Sequence, residues 1–114
     1  MLFVLLLSAA PLAVPPPQAA PQCSVPGHAI AIRKSELPPD VSRELDEDMA
    51  DPGKPFRKSD ILAPGEEDLP HMRLICGYRT LSGYVVEREV GGHAYSIGRI
   101  VFRRTATGYA LASD

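Results

Sequence analysis

At 114 residues with a formal net charge of −2, the chain has room for one small domain with a modest core. Its charge gives no electrostatic case for nucleic acid as a partner. A domain of this size has little stability to spare.

Residues 2–14 form an apolar run of about a dozen residues, the length of a signal-peptide core and short of the ~20 needed to span a bilayer. Pro11 interrupts the run, and the terminal amine is its only positive charge. Ala10, Ala13 and Ala20 are small enough to precede a cleavage site, whereas Pro11 and Pro21 are poor residues to follow one. Pro15-Pro16-Pro17 and Pro21 make an extended, polyproline-like tether. Residues 1–22 are therefore expected to be a signal peptide and Pro-rich tether, and residues 23–114 a small α+β domain. The expected location is periplasmic or secreted, with no membrane attachment after signal cleavage. An uncleaved anchor and a start placed upstream are the alternatives. Gln22 stands where lipid attachment at Cys23 would require a small residue.

Cys23 and Cys76 are the two cysteines. In an exported chain they are expected to form one disulfide. Two free thiols become the better reading if the chain stays in the cytoplasm. The absence of Cys-x-x-Cys argues against a redox pair.

HAIAIR, from His28, is a short β-prone run. Asp40 after Pro38-Pro39 is a candidate N-cap, and Val41, Leu45 and Met49 fall at i, i+4 and i+8 as one apolar stripe. Asp51-Pro52-Gly53 ends that helix. A long connection follows, with Phe56, Ile61 and Leu62 expected to pin it to the core, Ser59-Asp60 forming a turn, and Pro64-Gly65 a second. From residue 71 the pattern becomes β. Strands are expected at 72–79, 83–90, 94–104 and 109–112, broken at Ser82-Gly83, Gly91-Gly92 and Thr107-Gly108.

Register follows from the turns. A two-residue Gly91-Gly92 turn sets Val90 opposite His93, Arg88 opposite Tyr95 and Val86 opposite Ile97. A three-residue Thr80–Ser82 loop sets Tyr78 opposite Tyr84, Cys76 opposite Val86 and Leu74 opposite Arg88. One face then collects Met72, Leu74, Cys76, Tyr78, Tyr84, Val86, Val90, Tyr95 and Ile97. A bulge at Gly98 would add Ile100 and Phe102. The other face, with Arg73 beside Glu89 and with Ile75, Arg79, Glu87, Ser96, Arg99 and Arg103, is expected to be wet. The fold class that results is α+β, one helix packed on a four- or five-stranded antiparallel β-meander.

Arg88 is the polar residue that this register leaves on the covered face. Its structural reading is a rim arginine, stem against Leu74 and head near Tyr95. Its functional reading is an anion or carboxylate site with Tyr95 and His93 nearby. His28, His71 and His93 show no metal-ligand spacing, so no metal or cofactor is expected. There is no Gly-x-Ser-x-Gly, and no nucleophile–base pair is visible, so no catalytic residue is expected. The acidic run Glu44, Asp46, Glu47, Asp48, Asp51 reads as a solvated face, or as a docking surface for a cationic partner.

DPGKPFRKSDIL, followed by RLICGYR and SGYVVEREVGGHAYSIGRIVF, resembles small exported proteobacterial proteins of unassigned function over residues 51–102. The resemblance implies export and a β-rich C-terminal half, and it brings no residue roles with it. The functional expectation is a non-enzymatic domain binding a protein or cell-envelope component, in an inhibitor-like or structural role. The alternative is a small-ligand or anion-binding domain centred on Arg88 and Tyr95.

Overall fold

Apolar cores lie on both faces of the sheet, the second over β2 and β3, although the alternation of the strands predicted one dry face and one wet. The computed structural model describes residues 21–27, 29–45 and 48–112. The apolar run at 2–14, most of the Pro-rich tether, His28, Asp46 and Glu47 lie outside the described residues.

The sheet has five strands in the order β1-β2-β3-β4-β5: β1 (Met49–Ala50), β2 (Met72–Arg79), β3 (Gly83–Val90), β4 (Ser96–Thr105) and β5 (Gly108–Leu111). β2 to β5 form the expected antiparallel meander. β1 departs from it by pairing parallel to β2 through Met49↔Met72 and Ala50↔Arg73, so the sheet is mixed. Met49 thus belongs to a strand and not to the helix. The helix α1 (Pro39–Glu44) is six residues long, and the chain turns extended at Leu45. The i, i+4, i+8 stripe was real as burial: Val41, Leu45 and Met49 are all in the core. It was misread as continuous helix because two residues of a parallel strand carry no periodicity of their own. Among the described residues, HAIAIR contributes the bridge Ala31↔Gly77 on the β2 edge beyond β1.

Asp40 is not the N-cap, which falls on Pro38. Its carboxylate instead accepts the Tyr109 N–H at 2.5 Å and ties α1 to β5. That bond holds the Asp40 carboxyl below its usual value.

The first hairpin turns tighter than expected. The Thr80 N–H donates to Gly83 O at 2.8 Å and Thr80 Oγ1 accepts the Gly83 N–H at 3.0 Å, leaving Leu81-Ser82 as the loop. Near the turn the register is Arg79↔Tyr84 and Tyr78↔Val85. At the far end it is Leu74↔Arg88 and Arg73↔Glu89, as expected. The extra residue is absorbed by a bulge between Leu74 and Cys76. A one-residue slip exchanges faces, so Cys76 and Tyr78 lie opposite Leu74 rather than beside it.

The second hairpin is looser than expected. Val90 pairs with Ser96, Arg88 with Gly98 and Val86 with Ile100, without a bulge at Gly98. Gly91-Gly92 does not make a two-residue turn. Gly91 instead donates its N–H to His71 O, and a Cβ there would stand 1.8 Å from Arg57 O. The glycine is needed so that the 54–60 segment can cross the end of the hairpin. The three-residue shift brings Ile100 and Phe102 to the helix face and removes Tyr95 and Ile97 from it.

The larger core joins Leu37, Val41, Leu45 and Met49 to Leu74, Tyr84, Val86 and Phe102. The second, on the other face, joins Ile75, Cys76, Tyr78 and Val85 to Cys23, Val25 and Ile30. Cys23 and Cys76 form the expected disulfide, with Cα atoms 5.7 Å apart. The residues after the tether are therefore held down as a cover on the face that was expected to be wet. Phe56 is buried as expected, whereas Ile61 is exposed and pins nothing. Ser59 does form its turn, Oγ accepting the Ile61 N–H at 3.0 Å.

Candidate functional site

Two glutamates on β3 define the chemistry of the second face. Glu87 is 4 % exposed and Glu89 is 2 % exposed, and an ionised carboxylate at that depth needs donors. Glu87 Oε2 accepts the Tyr78 hydroxyl at 2.6 Å and the Ser24 hydroxyl, and its Oε1 accepts the Ser24 N–H at 2.9 Å. Glu89 takes Arg73 in a two-point bond, Nε to Oε2 at 2.6 Å and Nη2 to Oε1 at 3.0 Å, and accepts the Tyr95 hydroxyl at 2.7 Å. Burial pushes both carboxyls up. These donors outweigh it, with Arg99 across the strand from Glu87 adding to them, and both carboxyls are held below their ordinary value. The Tyr95 phenol is pushed up to about 12 by burial and by its bond to Glu89. Lys58 Nζ lies 4.7 Å from the Tyr95 ring centre, and the Arg73 guanidinium 4.5 Å from that of Phe56.

A carboxylate held low by several donors is a poor proton carrier, so these two clusters work as pins. Glu87 fastens the disulfide-linked N-terminal segment to β3, and Glu89 fastens the β3–β4 loop through Tyr95 and holds Arg73, which donates to Lys54 O. Cys23, Cys76 and Glu87 gather their ligand-type atoms within 4.8 Å, but the two sulfurs are bonded to each other and present no thiolate.

Acid should test the pins. A glutamate whose folded value is depressed contributes stability that is present above its unfolded value and lost as pH falls through the folded one. For Glu87 and Glu89 the loss sets in as pH drops below the ordinary 4.5. Urea unfolding between pH 7 and pH 3 should show stability falling in that acid range. A flat profile down to pH 3 would contradict the assignment.

The sequence grouped Arg88, Tyr95 and His93, and the structure separates them. Arg88 and Glu89 point to opposite faces of β3, and Tyr95 goes with Glu89. The Arg88 stem lies beside Leu74 as expected, but its head meets Met72, with Nη1 donating to Sδ at 2.7 Å, and not Tyr95. Its Nε is buried without an acceptor, and burial lowers the guanidinium pKa. His93 is solvent-exposed in the β3–β4 loop, Nδ1 3.7 Å from Asp60 Oδ2. A cleft of about 470 Å³ is lined by Ala29, Ile30, Glu36, Arg79 and Tyr84, and one of about 320 Å³ by Val25, Ile30, Tyr78 and Arg79. Arg88, Tyr95 and His93 line neither.

Replacing Arg88 with Met keeps the stem and removes a half-buried guanidinium that has no acid partner among the described residues. Stability should change by about 1 kcal/mol or less, or rise, as it does when poorly compensated buried charges become apolar. A loss of more than about 2 kcal/mol in urea unfolding would show that the charge is well paired.

Of the acidic run, Asp48 accepts the His71 N–H at 2.8 Å and pairs with its ring, and Asp51 accepts the Lys34 N–H at 2.7 Å. Both are thus engaged within the chain.

The surface that the sequence reading missed is β4. On the second face its side chains run Ile97, Arg99, Val101, Arg103, directly beyond Glu89, Glu87, Val85 and Gly83. The N-terminal cover stops short of this row. Ile97 is 56 % exposed and Val101 50 % exposed, with Arg99 and Arg103 exposed between and after them. A hollow of about 320 Å³ lined by Ser24, Glu87, Ile97, Gly98 and Arg99 runs along the border between cover and row. From Val90 to Ala112 the chain has three arginines and no Asp or Glu. That charge asymmetry was legible in the sequence; the exposure of Ile97 was hidden by the register error. Neither a family model, a curated protein nor a solved structure matches the chain.

Proposed function

We propose that the protein is an exported, non-enzymatic binding module that docks a protein or cell-envelope component on the β4 row. The observation that carries this is the row Ile97, Arg99, Val101, Arg103, left bare on a sheet whose faces are otherwise covered by the protein's own chain. Apolar and arginine side chains alternating along an exposed strand suit a macromolecular partner better than a small molecule. Export rests on residues 1–22 as signal peptide and Pro-rich tether, with residues 23–114 as the domain. The disulfide fits an oxidising, periplasmic or secreted setting. Among the described residues no helix is long and apolar enough to cross a membrane.

The test is affinity capture from the native envelope with wild type and with Ile97→Asp/Val101→Asp. Both positions are half exposed, so the variant should fold and lose the partners that wild type retains. Identical captured sets from the two proteins would overturn the proposal.

A second reading, an anion site, draws on the Arg88 guanidinium, which has no carboxylate partner among the described residues. Loss of a bound anion in Arg88→Met, with the fold intact, would favour it over the β4 reading.

A further inference from the structure

The one-residue slip that puts Cys76 and Tyr78 on the second face carries Gly77 and Arg79 to the helix face, where they stand beside Val86 and Tyr84. A Cβ at Gly77 would meet Leu37 Cδ2 at 2.6 Å and the Tyr84 hydroxyl oxygen at 2.8 Å. The glycine therefore makes room for the Tyr84 phenol to lie across β2. The ring is seated against Tyr109, centres 5.6 Å apart, and the residue is only 6 % exposed. Its hydroxyl has no hydrogen-bond partner among the described residues, whereas a buried phenol O–H ordinarily has one.

Tyr84 lines the cleft of about 470 Å³ at this end of the sheet, together with Arg79 and Glu36. Both charges act on its phenol through space, so the hydroxyl end of the ring belongs to the cleft. Burial raises the phenol above its ordinary value, which keeps it a protonated donor at neutral pH. Arg79 is exposed, and its guanidinium has no ion pair or hydrogen bond among the described residues. Glu36 Oε1 accepts the Ile32 N–H at 2.8 Å. Ile30, Ala31 and Pro38 supply apolar wall.

We propose that this cleft binds a small organic monocarboxylate with a compact apolar body, its carboxylate held by the Arg79 guanidinium and the Tyr84 hydroxyl. A planar fork of N–H donors matches a carboxylate in two-point geometry, and the phenol adds a third donor. A cleft of this size with apolar walls and a few polar groups suits a small molecule. Glu36 on the same cleft disfavours a second negative charge on the ligand. No β4 residue lines the cleft, so this site is separate from the docking row and stands or falls independently of it.

The probes are isovalerate, its uncharged analogue isovaleramide and the dianion methylsuccinate, titrated into the whole protein at neutral pH and followed by amide NMR. A ligand this small is expected to bind at about millimolar Kd. Isovalerate should shift the Ala31, Arg79 and Tyr84 amides and bind about ten-fold tighter than isovaleramide, the order that one hydrogen bond to a charged group provides. Tyr84→Phe keeps the ring and should weaken isovalerate about ten-fold. Arg79→Gln, at an exposed position, should bring isovalerate and isovaleramide to equal affinity, and this arm decides alone if Tyr84→Phe fails to fold. Glu36→Gln keeps an acceptor for Ile32 and should tighten methylsuccinate more than isovalerate.

Equal binding of isovalerate and isovaleramide by wild type would overturn the proposal. So would isovalerate affinity unchanged in Arg79→Gln, or no binding at about ten times the expected Kd. Loss of isovalerate in Arg88→Met but not in Arg79→Gln would place the anion at Arg88 and remove this site. Ile97→Asp/Val101→Asp should bind isovalerate as wild type does. Loss in that variant while it remains folded would contradict a site separate from β4.

Discussion

Replacing Cys23 and Cys76 with Ser should lower stability by about 4 kcal/mol in the loop-closure treatment, since the bridge closes 53 residues. For a domain of this size that is a large part of the usual 5–15 kcal/mol. The structure adds a second consequence. Cys23 is adjacent to Ser24, whose N–H and hydroxyl both serve Glu87. Once the segment is released, Glu87 keeps only Tyr78 among these donors and the second core loses Val25 and Ile30 as cover. Urea unfolding of the double-Ser protein at neutral pH measures the sum. A loss under about 1 kcal/mol would mean that the segment stays docked without its bridge, contrary to the role assigned to it.

Glu89→Leu is expected to cost about 3 kcal/mol or more, because it leaves the Arg73 guanidinium largely buried, at 20 % side-chain exposure, without its acid. Adding Arg73→Met should restore most of the loss, since a buried ion pair can often be replaced by apolar residues at little cost. The cycle separates the worth of the pair from the penalty for a stranded charge. Tyr95 supplies an independent readout. Its phenol should titrate near 12 in wild type and fall toward the ordinary tyrosine value when Glu89 is removed. If Glu89→Leu unfolds within 1 kcal/mol of wild type, the buried pair is not the pin described above.

The strands were legible because their apolar and β-branched residues are bounded by glycine and polar breaks, and β2 and β3 fall where the pattern placed them. Register was not legible, because a glycine has two uses. Gly91 reads as a turn residue, yet it is required by the close approach of Arg57. That misreading moved β4 by three residues and turned its side chains over. It placed Ile97 and Tyr95 in the core and left Arg88 beside Tyr95. The bulge at Ile75 was hidden for a related reason, since apolar residues at 74, 75 and 76 satisfy either phase. The disulfide was readable from the two cysteines and the expectation of export, but its effect, converting a wet face into a covered one, depends on where a coil segment lies. No local pattern encodes that.

For the β4 surface, the most direct measurement is site-specific photo-crosslinking in the native envelope, with the photoreactive residue at Val101 and, as a control, at Leu81. Leu81 is fully exposed at the tip of the first hairpin, so it reports accessibility without the row. Discrete adducts at Val101 that are absent at Leu81 are the expected result. The same adduct pattern at both positions, or adducts at Leu81 alone, would contradict docking on β4.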